Sequence, residues 1–189
     1  SVQGKSELRV SLSEGLVPAM GLVLQRVRQA LDVDADPALI DPALQTLGFP
    51  ARPGLRLPGA IDGFEAAVRV ILGQQVSVAA ARTLTARLVE ALGSSLRLPE
   101  AGVERIFPSA RSVADASANT IGQLGIVRQR VGALQAVARA VVNGELSLER
   151  DSPLEPTLAK LRTLPGIGEW TAQLIAMRAL AWPDAFPAS

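Results

Sequence analysis

A chain that reads LPGIGEWTAQLIAMRAL over residues 164–180 has little freedom in how it folds there. Apolar residues recur at helical spacing on both sides of Pro165-Gly166-Ile167-Gly168, in TLAKLRTL and again in EWTAQLIAMRAL. So short a link forces the two helices back on each other as a tight αα-hairpin. Leu158, Leu161 and Leu164 share a face of the first helix, and Leu174, Ile175 and Met177 a face of the second. Glycine adopts backbone conformations closed to other residues and lets a second backbone come close. The amides of Gly166 and Gly168 then stand free at the start of a helix whose dipole favours an anion, which makes a phosphate site without side chains. Thr171, in the first helical turn, can add a hydroxyl, and Glu169 is a charge favoured at a helix start. A plain loop between packed helices remains the competing account of the same residues.

The rest of the chain reads as mainly α. ELRVSLS (7–13) alternates apolar Leu8, Val10 and Leu12 with polar residues, the pattern of a half-buried strand. A lone strand cannot satisfy its ladder, so partners are expected upstream or from another molecule. The first residue, Ser1, adds to the expectation of truncation at that end. Helical spacing runs over 16–31, and a Pro/Asp/Gly-rich joint with short helical pieces follows over 34–59. Asp62 is placed to cap a long helix, GFEAAVRVILGQQ, and VSVAAARTLTARLVEALG makes another that stops at Gly93. Residues 94–120 read as loop and short helix, and a helix over 128–142 ends at Asn143-Gly144. The expected domains are 1–33, the end of an N-terminal sheet domain, then the joint 34–59, then a helical domain over 60–189.

The absences restrict the chemistry. The chain has no His, Cys or Tyr, which removes Ser-His-Asp and Cys-His nucleophiles and zinc sites of His/Cys type. Catalysis is left to carboxylates, Lys, backbone amides or a group the chain does not contain. All but Lys5 and Lys160 of the 19 basic residues are Arg, which suits planar contacts with phosphate but also follows from coding bias. A net charge of +1 says little about partners. With no disulfides, no signal-peptide pattern and no long apolar run, a cytoplasmic protein that does not enter membranes is expected.

L-P-G-I-G-x-W-T-A-x-x-I-A-M-R-A-L resembles the helix-hairpin-helix of DNA base-excision glycosylases. Upstream, RPGLRLPGAIDGFEAAVRVILGQQVSVAAARTLTARL (52–88) is similar to the alkylated-base, 3-methyladenine type II branch, and order and spacing agree over nearly the whole chain. The fold this implies is the helical glycosylase domain, with residues 7–31 as the last strand and helix of an antiparallel sheet domain. The function it implies is removal of alkylated bases from double-stranded DNA, by hydrolysis of the N-glycosidic bond after the base is flipped out.

The same resemblance assigns residues. Gly166 and Gly168 would hold a DNA strand through their amides. The carbonyls of Arg162, Leu164 and Ile167 would hold an alkali or alkaline-earth cation bridging to the phosphate, and no other cofactor is implied. Gln75, just after ILGQ, stands where the family has a wedge that fills the gap left by the flipped nucleotide; a polar residue at a helix end is the alternative. Trp170 occupies the position at which lyase members carry a Schiff-base Lys, which implies a monofunctional enzyme, and its ring would attract a cationic alkylated purine. A core Trp between helices is the other account of it. Leu174 falls where a pocket aromatic can stand. The catalytic Asp maps to the position directly after Ser189, with Asp184 a weak substitute earlier in the loop. This chain is therefore expected to be weakly active or inactive, and the longer protein to be a monomer. The alternatives are a non-enzymatic DNA-binding module and a helical interaction domain without nucleic acid.

Overall fold

The computed structural model describes residues 8–187 apart from 51, 101 and 102. The chain divides into two compact units, Ser1–Ile61 and Asp62–Ser189.

The first unit holds a 3-10 helix, Glu14–Ala19, running into α1, Met20–Ala30, and then α2, Pro37–Thr46. Asp36 caps α2, its carboxylate accepting from the Ala38 amide at 2.9 Å, and Pro37 fits the first helical position because its missing N–H would have had no partner. The turn after α1 is clamped by Arg56, whose Nη1 donates to the carbonyls of Asp32, Val33 and Ala35 at 2.6, 3.1 and 2.7 Å. The segment after α1 returns to that helix at Gly59, whose amide donates to the Ala30 carbonyl at 3.1 Å. None of the described helices of this unit contains a fully buried residue. Residues 8–13 form no strand, and Leu8 is exposed. Alternation with period two is only half of a strand; without a partner on either edge the backbone has no ladder to join. Glu7 lies outside the described residues.

The second unit is helical around one core. Its elements are α3 (Gly63–Leu72), α4 (Val78–Leu92), β1 (Ser94–Glu100), β2 (Val103–Ile106), α5 (Ala110–Asp115), α6 (Ala118–Gly122), α7 (Arg128–Val142), α8 (Leu154–Thr163) and α9 (Glu169–Ala179). Asp62 caps α3 as its position predicts, accepting from the Glu65 amide at 2.7 Å, and Ser77 caps α4. α3 packs on both α7 and α9, burying Val68, Ile71 and Leu72 against Leu134, Val137 and Ile175. α8 packs on α9 and adds Leu158 and Leu161 to the same core, so the predicted hairpin is present.

Two segments depart from the sequence reading. α3 ends at Leu72 rather than running on to residue 75: the Gly73 amide closes the last turn on Arg69, and a turn follows. Residues 94–106, expected as loop and helix, pair as an antiparallel ribbon with Ser94 opposite Ile106, Ser95 opposite Arg105 and Glu100 opposite Val103, and an irregularity between. A proline within SSLRLPE masks the signal, because proline removes a ladder donor and is tolerated only at edges and bulges. This two-stranded ribbon is the one sheet among the described residues. No described helix is long and apolar enough to cross a membrane.

Candidate nucleic-acid interface

The link between α8 and α9 requires its glycines for different reasons. Gly166 has φ +77°, and a Cβ there would stand 2.9 Å from the Ala133 Cβ of α7. Conformation and space both demand glycine. Gly168 is the N-cap of α9 with an ordinary φ of −84°, and a Cβ there would meet nothing within 4 Å. It is exposed and carries no side-chain cap, so the positive end of the α9 dipole has no capping side chain.

These glycines border a cleft of about 530 Å³ lined by Gln74, Gln75, Val127, Gln129, Arg130, Gly166, Gly168, Trp170 and Thr171. The end of α3, the start of α7 and the start of α9 thus meet at one opening, and Arg130 is the one charged residue among its lining. Trp170 is 39% exposed among the cleft lining, and Trp182 is the tryptophan that packs against the core of the described residues. Gln75 is exposed and has φ +52°, in the left-handed region that residues other than glycine seldom adopt. Its neighbour Gln74 turns inward, Nε2 donating to the Gly166 carbonyl at 3.1 Å and to the Thr171 hydroxyl at 2.9 Å. Arg130 donates through Nη2 to the Gln74 carbonyl.

Of the residues singled out from sequence, Gln75, Gly166, Gly168, Trp170 and Thr171 come together here. Thr171 does so in a different manner: it is 4% exposed and its hydroxyl accepts from Gln74, so it ties α3 to the hairpin instead of presenting itself to a ligand. Leu174 is half-buried and Asp184 sits exposed in the turn after α9; neither lines the cleft. Position 189 lies outside the described residues. Sequence reasoning missed Gln74, Gln129 and Arg130. The adjacent glutamines of ILGQQ were the available signal for the first; for the other two, on a helix far away in sequence, there was none.

Arg162 and Glu169 close the outer side of the hairpin with a bidentate pair, Nε to Oε2 at 2.6 Å and Nη2 to Oε1 at 2.8 Å. Hydrogen bonds from Arg162 and then Gln173 hold the Glu169 carboxyl down to about 2, and the pair raises the Arg162 guanidinium. Because the folded value is depressed, the pairing is intact above the ordinary carboxylate range and is lost as pH falls from there through about 2. A carboxyl-carbon titration followed by NMR is expected to place the Glu169 midpoint near 2. Arg162→Gln is expected to return it toward the ordinary range; an unmoved midpoint would show that the arginine is not the cause. Both side chains are exposed, so the pair orients the hairpin more than it stabilises it.

The carbonyls of Arg162 and Leu164 lie at the C-terminal end of α8, the negative pole of its dipole, which suits a hard cation. The Leu164 carbonyl also accepts from the Ile167 amide at 3.2 Å. Among the described residues no cluster of three His, Cys, Asp or Glu side chains could hold a metal.

Residues 68–188 match the family model described as HhH-GPD superfamily base excision DNA repair protein, and residues 1–62 match that of the AlkA N-terminal domain. The chain belongs to the HhH-GPD superfamily of base excision DNA repair proteins. It is 39% identical over 179 residues to DNA-3-methyladenine glycosylase 2 of Escherichia coli (strain K12), covering 95% of this chain and 62% of that protein. It is also 38% identical over 170 residues to a probable bifunctional transcriptional activator/DNA repair enzyme AlkA of Mycobacterium tuberculosis (strain ATCC 25618 / H37Rv), covering 87% of this chain and 34% of that one. The chain thus spans under two thirds of the length of these relatives. In fold it is similar to the 3-methyladenine DNA-glycosylase from Archaeoglobus fulgidus, with a TM-score of 0.68 at 22% identity over 94% of this chain and 60% of that one. A Clostridium acetobutylicum 8-oxoguanine glycosylase/lyase bound to double-stranded DNA gives 0.73 at 18% identity, over 94% of this chain and 61% of its own. The helix-hairpin-helix resemblance of the sequence is thereby established as family membership, and the mainly α fold with it.

Proposed function

We propose that this protein is a monofunctional DNA glycosylase that releases alkylated bases of 3-methyladenine type from duplex DNA, by hydrolysis of the N-glycosidic bond after base flipping. The observation that carries the reading is the meeting of Gly166, Gly168, Gln75 and Trp170 around one cleft, although residues 75 and 166 are far apart in sequence. The amides at the start of α9 hold a backbone phosphate by main-chain contacts that ignore sequence. An alkali or alkaline-earth cation on the carbonyls of Arg162, Leu164 and Ile167 would supply further positive charge to that phosphate. Gln75, projected by its left-handed backbone, enters the duplex where the nucleotide has left. The indole of Trp170 stacks on the extruded purine, whose positive charge on alkylation strengthens contact with the ring face.

The reacting carboxylate is assigned to the position directly after Ser189, near the flipped sugar, where it stabilises the charge developing at the anomeric carbon. Asp184, exposed in the turn after α9 and outside the cleft lining, is kept as the weak substitute. The identity of the Escherichia coli relative as a DNA-3-methyladenine glycosylase supports the substrate class.

The test is release of 3-methyladenine from methylated duplex DNA by the 189-residue chain beside a version that continues past Ser189. Release by the longer chain alone is the expected result. Full activity of the shorter chain would move catalysis to a carboxylate inside it, Asp184 first. No release by either, with binding to duplex insensitive to salt, would end the glycosylase reading.

A further inference from the structure

Gln75 holds a backbone conformation that a glutamine does not choose unaided, and the surrounding bonds show what holds it. The peptide that joins Gln74 to Gln75 has its carbonyl gripped by Arg130. The Gln74 side chain is pinned at its far end to the Gly166 carbonyl and the Thr171 hydroxyl. With the peptide before Gln75 held by Arg130 and the Gln74 side chain pinned to the hairpin, a change of φ at residue 75 has to be taken up by the chain that follows, which enters α4 at Val78 under the Ser77 cap. Arg130 is half-buried in the wall of the cleft, close to the hairpin, where α7 also packs against Gly166 through Ala133.

We propose that Arg130 and Gln74 form a positioning clamp that fixes the backbone of residue 75, so that the Gln75 side chain is presented to the duplex before DNA arrives. The proposal rests on the wedge reading of Gln75 and adds the residues that set it. Neither clamp residue needs to touch the damaged base. Held in advance, Gln75 loses less freedom on insertion, and capture of distorted DNA is favoured over capture of intact duplex.

Two readouts test it on the 189-residue chain, with Arg130→Met keeping the stem and removing the donor, and Arg130→Lys restoring one donor. The first needs no DNA: the Gln75 φ in solution, from NMR couplings and the intraresidue Hα–HN contact. It is expected to be positive in the wild type and in Arg130→Lys and averaged in Arg130→Met; a positive φ kept in Arg130→Met overturns the clamp. The second uses a duplex carrying a tetrahydrofuran abasic-site analogue opposite 2-aminopurine, beside the same duplex without the lesion. Arg130→Met is expected to lose lesion affinity and the fluorescence rise on the order of tenfold. Its affinity for intact duplex, which loses one cation of the cleft lining, should fall clearly less than its affinity for the lesion. Equal losses on both duplexes would make Arg130 an ordinary phosphate contact and overturn the proposal. Should Arg130→Met fail to fold, Gln74→Met removes the other arm and is held to the same outcomes. A wild type that binds neither duplex would end the DNA reading, while the φ measurement still decides the clamp.

Discussion

Gly166→Val is expected to lose duplex binding and to unfold at lower temperature, whereas Gly168→Asp is expected to lose binding alone. At residue 166 a side chain must adopt a φ of +77°, and its Cβ would press on Ala133 at 2.9 Å. Left-handed backbone costs a residue with a Cβ roughly 1–2 kcal/mol, and overpacking adds roughly 1–3 kcal/mol, so the hairpin should open well before the rest of the core. Residue 168 has an ordinary φ and open space around it. Aspartate is a favoured N-cap, so Gly168→Asp should leave stability unchanged or raise it by about a few tenths of a kcal/mol. The same carboxylate stands where a phosphate is expected. A hydrogen bond to a charged group contributes roughly 1.5–3 kcal/mol, so affinity should fall about tenfold to a hundredfold. Thermal unfolding and fluorescence anisotropy on one duplex check both variants. Wild-type affinity in Gly168→Asp would place the phosphate elsewhere.

Ile71→Ala is the second large effect. Ile71 is fully buried where α3 packs on α7 and α9, and its truncation leaves a cavity between helices that cannot collapse independently. The expected loss is about 2–5 kcal/mol, a large part of the stability of a domain this size. That lowers the midpoint of thermal unfolding by on the order of 10 °C. Val78→Ala, at a side chain 70% exposed, should change stability by no more than about 0.5 kcal/mol. Equal effects at both positions would mean that α3 is not the centre of this core.

The hairpin was legible because its signals are local: a glycine that must turn the chain, and apolar residues at helical spacing on each side. The start of α3 at Asp62 and the span of α7 were legible for the same reason, through capping and periodicity. The ribbon at 94–106 was hidden by its proline, and the strand expected at 7–13 failed because alternation does not report a partner. At the cleft, Trp170 and Gln75 could be named from motif positions, but their exposure and the left-handed backbone of Gln75 could not. Arg130 was beyond reach because it acts on a carbonyl, and any residue can supply a carbonyl. Thr171 was assigned outward because a first-turn hydroxyl has that option; only the position of Gln74 shows that it turns in.

The bond from Gln74 to the Gly166 carbonyl joins positions separated by 92 residues. Contacts of such sequence separation form late, since a long loop must close before they return any energy. A molecule still folding, or one whose α8–α9 hairpin has come away from α3, therefore lacks the cleft that lies between them. The opening behind the hairpin is in this way a product of completed folding, and a chain that has formed only its local helices does not yet possess it.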